Sequence, residues 1–347
     1  MIFLSNRPLF YGQNSTGQNW NSGTDLGLAM TADLVDNWSG HNTVNGAGAY
    51  SSQYFCQAPG WYLARSSIPF TYTGSTQYVF AGGFSGQTAG AAFTTVRGAL
   101  TLGGSTHDPL AQCCDLIRMT ESGPTGGGGD FINFTAFQNT GSSITLANTA
   151  TELPYVVIRW VAATSGTTPL IVPANASWPI PPAAYITSAF LNTSIRDTIR
   201  FLTYPPICKA YGASGSLPSQ SFPSGSVVPL ANTPVDNYSG FTTGTGGGYT
   251  APVAGVYFVY GQFSLASSTG STAYCAGLSV NGGSTQWGDS VNKISDTTGG
   301  GAQVGKHLRL NAGDTVQFIA CQGSGSSIAW NGAGINQTRF IAVWESS

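Results

Sequence analysis

Short stretches of alternating apolar and polar residues, separated by turns rich in glycine and asparagine, run through most of this chain. Residues 255–266 (GVYFVYGQFSLA) and 273–280 have the aromatic and β-branched composition of strands, and Asn281-Gly282 is a strong hairpin signal. Residues 304–310 and 315–321 also alternate. The pattern predicts roughly eight short strands in the second half of the chain, as expected for a β-sandwich or jelly roll.

The same motifs occur twice and in the same order. Because solenoid repeats are much shorter than this spacing, we expect one duplicated domain. The predicted boundaries are 1–163 for the first domain and 203–347 for the second. The matched motifs are VDNWSG at 35–40 with VDNYSG at 235–240, DFINF at 130–134 with DTVQF at 314–318, and VVIRW at 156–160 with FIAVW at 340–344.

A stretch of different character, residues 164–202, connects the two domains. Residues 164–182 are rich in Thr, Pro and Ala, a composition that predicts an extended linker. Residues 185–202 have apolar positions at helical spacing, among them Ile195 and Ile199, and form the only convincing helix in the pattern. The apolar stripe either packs on a neighbouring sheet or packs on copies of itself around an axis.

The composition supports an all-β fold and excludes some functions. Only 7% of the 347 residues are charged, 47 are glycine, and 41% are hydrophobic, which favours folded strands over helices or disorder. The net charge is −2 with no basic cluster, so we expect no nucleic-acid binding. No apolar window approaches the length of a transmembrane helix, and the N-terminus lacks a signal peptide, so we expect no membrane insertion.

The six cysteines do not occupy matching positions in the two repeats. A disulfide framework would have been duplicated with the domain, so we expect free, buried thiols in a protein made in a reducing cytoplasm. The first repeat contains Cys56, Cys113 and Cys114, and the second contains Cys208, Cys275 and Cys321.

Candidate catalytic and metal-binding residues are few. The chain has three histidines: His41 aligns with Phe241 and is expected to pack, His107 lies in a predicted loop, and His307 is expected on the solvent face of a strand. Residues 300–306 (GGAQVGK) resemble a phosphate-binding loop, but the next residue is not Ser or Thr and no helix follows. We therefore expect no enzymatic activity, no cofactor and no metal site.

The matched acidic residues suggest turns. Asp36 and Asp236 could offer oxygen ligands to calcium, but no dense acidic loop surrounds them, so Asx turns are the better interpretation. Asp130 and Asp314 each follow a glycine and are also interpreted as turn residues.

Several of these motifs resemble known families. Residues 251–258 (APVAGVYF), 280–282 and 310–316 (LNAGDTV) resemble the globular heads of the complement and tumour necrosis factor superfamily, which implies a jelly roll that assembles as a homotrimer. Residues 36–41, 54–62 and 190–197 (FLNTSIRD) resemble tail-associated structural proteins of actinobacterial tailed phages. The expected fold is therefore two tandem jelly-roll β-sandwich domains, joined by a linker and one short helix.

The resemblance to trimeric proteins implies an aromatic surface packed around a threefold axis, in two stacked layers. The alternative is that these aromatic residues belong to the core of each domain. The trimer-interface candidates are Tyr62, Phe134, Trp160, Tyr257, Phe318 and Trp344, together with Ile195 and Ile199 on the helix.

The expected function is structural: an exterior virion protein of a tailed phage, assembled in the bacterial cytoplasm and displayed near the tail tip. It would contact other virion proteins. One alternative is a capsid decoration protein that stabilises the head. Another is an adhesin for a host-envelope glycan, which needs exposed aromatic side chains. The glycan-contact candidates are Trp20, Trp178, Trp287 and Trp330.

Overall fold

The chain is described by a computed structural model in which almost all regular structure is β-strand. One short helix, α1 (Asp197–Thr203), is present among the described residues. The structure describes residues 7–16, 18–23, 26–42, 52–71, 78–88, 91–97, 101–103, 110–120, 129–146, 153–164, 196–212, 215–220, 224–265, 272–288, 292–294, 301–330 and 337–347.

The strands of the first half, module 1, lie before the helix. The longest of them alternate between residues of the module core and residues of the opposite face, as the two-residue period of a strand requires. They are β1 (Leu9–Gln13), β2 (Asn19–Trp20), β3 (Leu26–Gly27), β4 (Ala32–Asp36), β5 (His41–Asn42), β6 (Gln53–Phe55), β7 (Gly60–Thr71), β8 (Tyr78–Thr88), β9 (Ala91–Arg97), β10 (Thr101–Gly103), β11 (Leu110–Met119), β12 (Phe131–Gln138), β13 (Ile144–Leu146) and β14 (Tyr155–Ala162).

The strands of the second half, module 2, follow the helix. Their bounds agree with the sequence pattern to within a few residues, since 255–266, 273–280, 304–310 and 315–321 each overlap one of them. They are β15 (Ile207–Tyr211), β16 (Gly215–Leu217), β17 (Ser226–Val227), β18 (Asn232–Asp236), β19 (Phe241–Thr242), β20 (Gly248–Thr250), β21 (Gly255–Ser264), β22 (Thr272–Val280), β23 (Gln286–Trp287), β24 (Asn292–Ile294), β25 (Gly301–Leu310), β26 (Thr315–Gln322), β27 (Ile328–Trp330) and β28 (Arg339–Ser346).

Each module contains two main antiparallel sheets with the same strand order. The inner sheet is β11-β7-β14-β1-β4 in module 1 and β25-β21-β28-β15-β18 in module 2. The outer sheet contains β8-β12-β6-β5 in module 1 and β22-β26-β20-β19 in module 2. Each module is therefore a jelly-roll β-sandwich, and the strand-for-strand correspondence confirms the duplication predicted from the sequence.

The core of each module lies between its two sheets and is largely aromatic. Tyr62 and Tyr257 occupy equivalent central positions, and each donates its hydroxyl proton to a backbone carbonyl four residues earlier, at 2.7 Å and 2.8 Å. Each ring also packs edge-on against a second tyrosine, Tyr54 or Tyr249, with centroids 6.0 Å apart in both modules. The hydroxyls of Tyr62 and Tyr257 thus keep a hydrogen-bond partner while their rings fill the core.

The matched aspartates Asp36 and Asp236 act as turn residues. Both carboxylate oxygens of each accept a backbone N–H, at distances between 2.7 and 3.0 Å. The third residue after each aspartate, Ser39 or Ser239, has a φ of 53°. This left-handed turn reverses the chain after β4 and β18, and it uses the carboxylates for the backbone, as the Asx-turn interpretation predicted.

A buried glutamine closes another turn in both modules. Gln138 and Gln322 lie at the ends of β12 and β26, and each side-chain amide donates to two backbone carbonyls while its oxygen accepts one backbone N–H. The same three bonds in both copies satisfy polar groups that the fold removes from water. The Gly-Ser-Ser-Ile motif that follows each glutamine belongs to this turn.

The glutamine turn gives a direct test of local stability. We expect Gln322→Leu to destabilise the protein by about 1–3 kcal/mol, because it leaves buried backbone groups without partners. Gln317→Leu on the same strand serves as the control, since Gln317 makes one exposed hydrogen bond. Urea unfolding of both variants measures the difference. Equal midpoints for the two variants would show that the buried amide is not needed.

Two local predictions were confirmed and others fall outside the described residues. Asn281 and Gly282 have φ values of 52° and 68°, the paired positive angles of the predicted tight hairpin turn. Residues 301–310, including most of the glycine-rich phosphate-loop candidate, form strand β25. Helix α1 covers the end of the predicted helix at 185–202, whereas residues 165–195, with nearly all of the predicted linker, lie outside the described part.

Candidate assembly interface

The two modules contact each other through their inner sheets. The faces that point away from the two module cores form a third apolar cluster, which both modules share. From module 1 it contains Leu63, Cys114, Leu116, Val161 and Ala162, with Trp61 at its margin, and from module 2 it contains Ile207, Val235, Phe258, Tyr260, Ile341 and Val343.

In one part of the contact an edge of module 1 meets a face of module 2, beside the β7 and β14 residues of the shared cluster. Strand β11 is the edge strand of its inner sheet, and the Leu116 carbonyl on that edge accepts a hydrogen bond from Lys209 Nζ at 3.2 Å. Lys209 lies on β15, an inner strand of the opposing sheet between β18 and β28. Around this bond the two modules therefore use different surfaces, which makes this part of the interface heterologous rather than twofold.

A buried ion cluster lies where the edge meets the face. Asp115 on β11 is 2% exposed, and its Oδ1 lies 2.7 Å from Lys209 Nζ and 3.6 Å from an Arg339 guanidinium nitrogen. Arg339 is 1% exposed. Burial by itself lowers the pKa of Arg339. The neighbouring acidic groups, Asp115 first among them, raise this pKa by a larger amount, so the guanidinium stays charged. Module 1 supplies the anion and module 2 supplies both cations.

Polar side chains extend the cluster along the same strands. The Tyr260 hydroxyl lies 2.9 Å from Gln262 Oε1 and 2.8 Å from Gln303 Oε1. Gln303 Nε2 then donates across the interface to Gln112 Oε1 at 3.1 Å. Gln112 and Gln303 hold equivalent positions in β11 and β25, because each pairs with the equivalent residue of its neighbour, β7 or β21.

Charged groups surround the buried cluster. Glu345 of module 2 is paired with Arg159 of module 1, and its second oxygen lies 3.2 Å from His307 Nε2. The Arg65 guanidinium of module 1 lies 4.5 Å from the centre of the Phe258 ring, a cation–π contact. An apolar centre with paired charges around it is the usual arrangement of a stable protein interface.

Removing the buried anion should separate the modules. We expect Asp115→Ala to lower stability by about 3–5 kcal/mol, because Lys209 and Arg339 would remain buried without a counter-charge. Calorimetry should show a lower melting temperature or two separate transitions. Replacing all three residues together (Asp115→Leu, Lys209→Met, Arg339→Leu) should recover most of the loss, since no unpaired charge remains. If the Asp115→Ala variant were as stable as the original chain, this role for Asp115 would be contradicted.

The aromatic trimer-interface candidates lie in the module cores. Tyr62, Phe134 and Trp160 are buried in the core of module 1, and Tyr257 and Phe318 in that of module 2. Trp344 is half-buried against the second core, packed on Phe201 of the helix at 4.8 Å between ring centroids. These side chains are the intradomain core that the sequence left open as the alternative, because their strand faces point between the two sheets of one module.

The expected stack of two trimeric layers also needs correction. In the structure, the inner-sheet faces that such layers would turn towards a threefold axis are in contact with each other instead. Ile199, an interface candidate on α1, is 43% exposed, and Ile195 lies outside the described residues. The residue after β14, Ala163, donates its backbone N–H to the Thr203 carbonyl at the end of α1, at 2.9 Å.

The tryptophans considered for glycan contact are mostly unavailable to a ligand. Trp20 is fully buried and donates its indole N–H to Ala136 O at 2.8 Å, and Trp330 is buried in the core of module 2. Trp287 is half-buried, and Trp178 lies outside the described residues. For Trp20 and Trp330 the prediction was wrong, because both indole rings are packed in the module cores, where a sugar ring cannot reach them.

The structure describes two of the three histidines, His41 and His307. His41 is buried and stacks on Phe10 at 4.5 Å, with Nδ1 2.8 Å from an Asp33 oxygen. His307 is exposed on its strand, as predicted. His107 lies outside the described residues. Within the described ranges, no group of three or more His, Cys, Asp or Glu side chains could hold a metal ion, and no helix is long and apolar enough to cross a membrane.

The cysteine prediction was wrong for one pair. Cys275 and Cys321 form a disulfide between β22 and β26, where they are directly opposite each other with Cα atoms 5.1 Å apart. Cys56, Cys113, Cys114 and Cys208 are free and buried. The pairing exists in one module only, because Cys321 aligns with Phe137 and the residue opposite Phe137 is Ala81.

The thiols can be counted by reaction with Ellman's reagent. Burial raises the pKa of Cys56 and of Cys114 to about 12, and it also raises the pKa of Cys113 and Cys208. Because the reactive thiolate is scarce far below the pKa, we expect the folded protein to react very slowly at pH 8. In denaturant without reductant, four thiols per chain should react. Six would show that the disulfide is absent.

The comparisons with known proteins return only solved structures. No protein-family model matches the chain, and no curated protein matches it. The globular domain of zebrafish complement 1qA is 17% identical with a TM-score of 0.29, over 41% of this chain and 99% of that chain. Eiger TNF from S. frugiperda is 13% identical with a TM-score of 0.30, over 41% and 95% of the two chains. Murine APRIL is 9% identical with a TM-score of 0.28, over 40% and 98%.

Proposed function

We propose that this protein is a structural component of the exterior of a tailed-phage virion, located at the tail tip, and that it acts as a homotrimer. The resemblance of its sequence motifs to actinobacterial phage tail proteins supports the virion assignment. The observation that carries the structural role is the intermodular interface, in which a buried ion cluster and a shared apolar cluster join the two modules.

The chemistry of the described residues supports a structural role over adhesion. An aromatic platform for sugar rings needs exposed indoles, and two of the four candidate tryptophans are buried. The polar groups with the deepest burial, such as Asp115 and Arg339, are used to join the modules. The buried ions therefore hold the assembly together.

Self-association is supported by the heterologous form of the intermodular contact. A contact between two different surfaces leaves one copy of each surface unused at the ends, and such ends are satisfied only when a ring closes. Three copies, as the resemblance to trimeric head domains implies, would place six modules in such a ring.

Purified virions test the location. Gold-labelled antibodies raised against the protein should bind at the tail tip of intact particles in electron micrographs. Labelling spread over the head would support the capsid decoration alternative and overturn the tail assignment. Absence of the protein from purified particles, checked by mass spectrometry, would overturn the virion role. Binding of the purified protein to host envelopes but not to particles would support the adhesin.

Sedimentation tests the oligomer. We expect a species of three times the chain mass at micromolar concentration, because the heterologous ends of one chain need partners. High salt weakens exposed ion pairs but not a buried apolar contact. Sedimentation of the same protein in high salt is therefore the matched comparison. A well-folded monomer at all concentrations would contradict the trimer.

A further inference from the structure

The face of module 2 that receives module 1 has an uncovered counterpart in module 1. Strand pairing fixes the equivalence, since β1 pairs with β14 and β4 as β15 pairs with β28 and β18. The receiving face of module 2 consists of Ile207, Lys209, Val235, Arg339 and Ile341. The equivalent residues of module 1, which we call the open face, are Leu9, Tyr11, Val35, Tyr155 and Val157.

The exposure of the two faces differs sharply. On the receiving face, the four residues other than Lys209 are buried, because the β11 edge covers them. All five residues of the open face are only half-buried. Leu34, next to Val35 on β4, is 52% exposed and is one of the few large apolar side chains on the described surface. A contiguous apolar face of this kind marks an interaction site in soluble proteins.

The edge that module 1 inserts also has an uncovered counterpart. Cys114, Asp115 and Leu116 of β11 correspond to Gly305, Lys306 and His307 of β25, because both sets pair with equivalent residues of β7 and β21. The first three are at most 3% exposed. Of the second three, which we call the open edge, Gly305 and His307 are exposed and Lys306 is half-buried. One chain thus keeps an open face on module 1 and an open edge on module 2, on a strand whose Gln303 side chain already reaches module 1.

The charges of these four surfaces allow only one kind of further pairing. The β11 edge carries Asp115, which needs the cations Lys209 and Arg339 of the receiving face. The open edge carries Lys306 at the position of Asp115, and two cations opposite it would repel it. On the open face, Tyr11 and Tyr155 stand where Lys209 and Arg339 stand, so that Lys306 would meet two phenol rings instead of two cations.

We propose that the open edge of one chain docks on the open face of a second copy, repeating between chains the contact that joins the modules within a chain. Tyr11 and Tyr155 already pack edge-to-face with ring centroids 6.0 Å apart, and the Tyr11 hydroxyl accepts a hydrogen bond from Gln13. A lysine ammonium over such rings makes a cation–π contact and can donate to a phenol oxygen. The site thus selects the β25 edge over the β11 edge, whose Asp115 would be buried there without a cation.

This inference rests on the proposed self-association and specifies its surfaces. The test exchanges the charge pattern. Lys306→Asp gives the open edge the charge of β11, and we expect it to weaken self-association at least tenfold in analytical ultracentrifugation. Adding Tyr11→Lys and Tyr155→Arg recreates the receiving face on module 1, and the triple variant should associate again. A folding defect could not produce this recovery.

The control is Arg309→Asp on the same strand. Its counterpart Arg118 stays exposed when the β11 edge is seated on module 2, so Arg309 should remain outside the contact between chains, and this variant should associate normally. If all variants associate like the original chain, self-association stands but these surfaces are wrong. If the original chain is a monomer at every concentration, both this inference and the proposed trimer are wrong.

Discussion

Both faces of each inner sheet are apolar, and this constraint governs the rest of the molecule. One face of β7 or β21 covers the core of its own module, and the opposite face must be covered by something else. Within one chain, part of this opposite face is covered because module 1 packs against module 2. Asp115 fixes how the modules meet, because only one arrangement supplies it with Lys209 and Arg339.

Duplication preserved the local turn chemistry and changed the surfaces. The aspartate turns, the buried glutamines and the central tyrosines make the same hydrogen bonds in both modules. At the interface positions the two copies differ: Asp115 corresponds to Lys306, and Tyr11 corresponds to Lys209. Positions that determine the fold of a single module stayed alike, whereas positions that determine how modules meet diverged.

The sequence predicted the fold well and the interface poorly, for a physical reason. Alternation and turn residues are local signals, so the strands of module 2 and the Asn281-Gly282 turn could be found from the pattern. Alternation also shows that a strand has two faces, but not which face points to the core, and the candidate aromatics were therefore assigned to the wrong surface. The disulfide was missed because it depends on Cys275 and Cys321 sharing a register across two strands. Asp115 did leave a signal, a lone acid inside the apolar strand LAQCCDLIRM in a chain with only 14 acidic residues.

The seated β11 strand has a further consequence for solubility. An uncovered edge strand offers a row of unpaired backbone groups to any other strand, which is a common start of aggregation. Lys209 donates a hydrogen bond to the Leu116 carbonyl, and Cys114, Asp115 and Leu116 are buried in contact with module 2, so the centre of this edge is no longer a template. On β25 the edge carries Lys306 and Arg309, and cationic side chains along an edge discourage amyloid-like strand addition. Both edge strands therefore carry features that oppose strand addition in a chain that has not yet assembled.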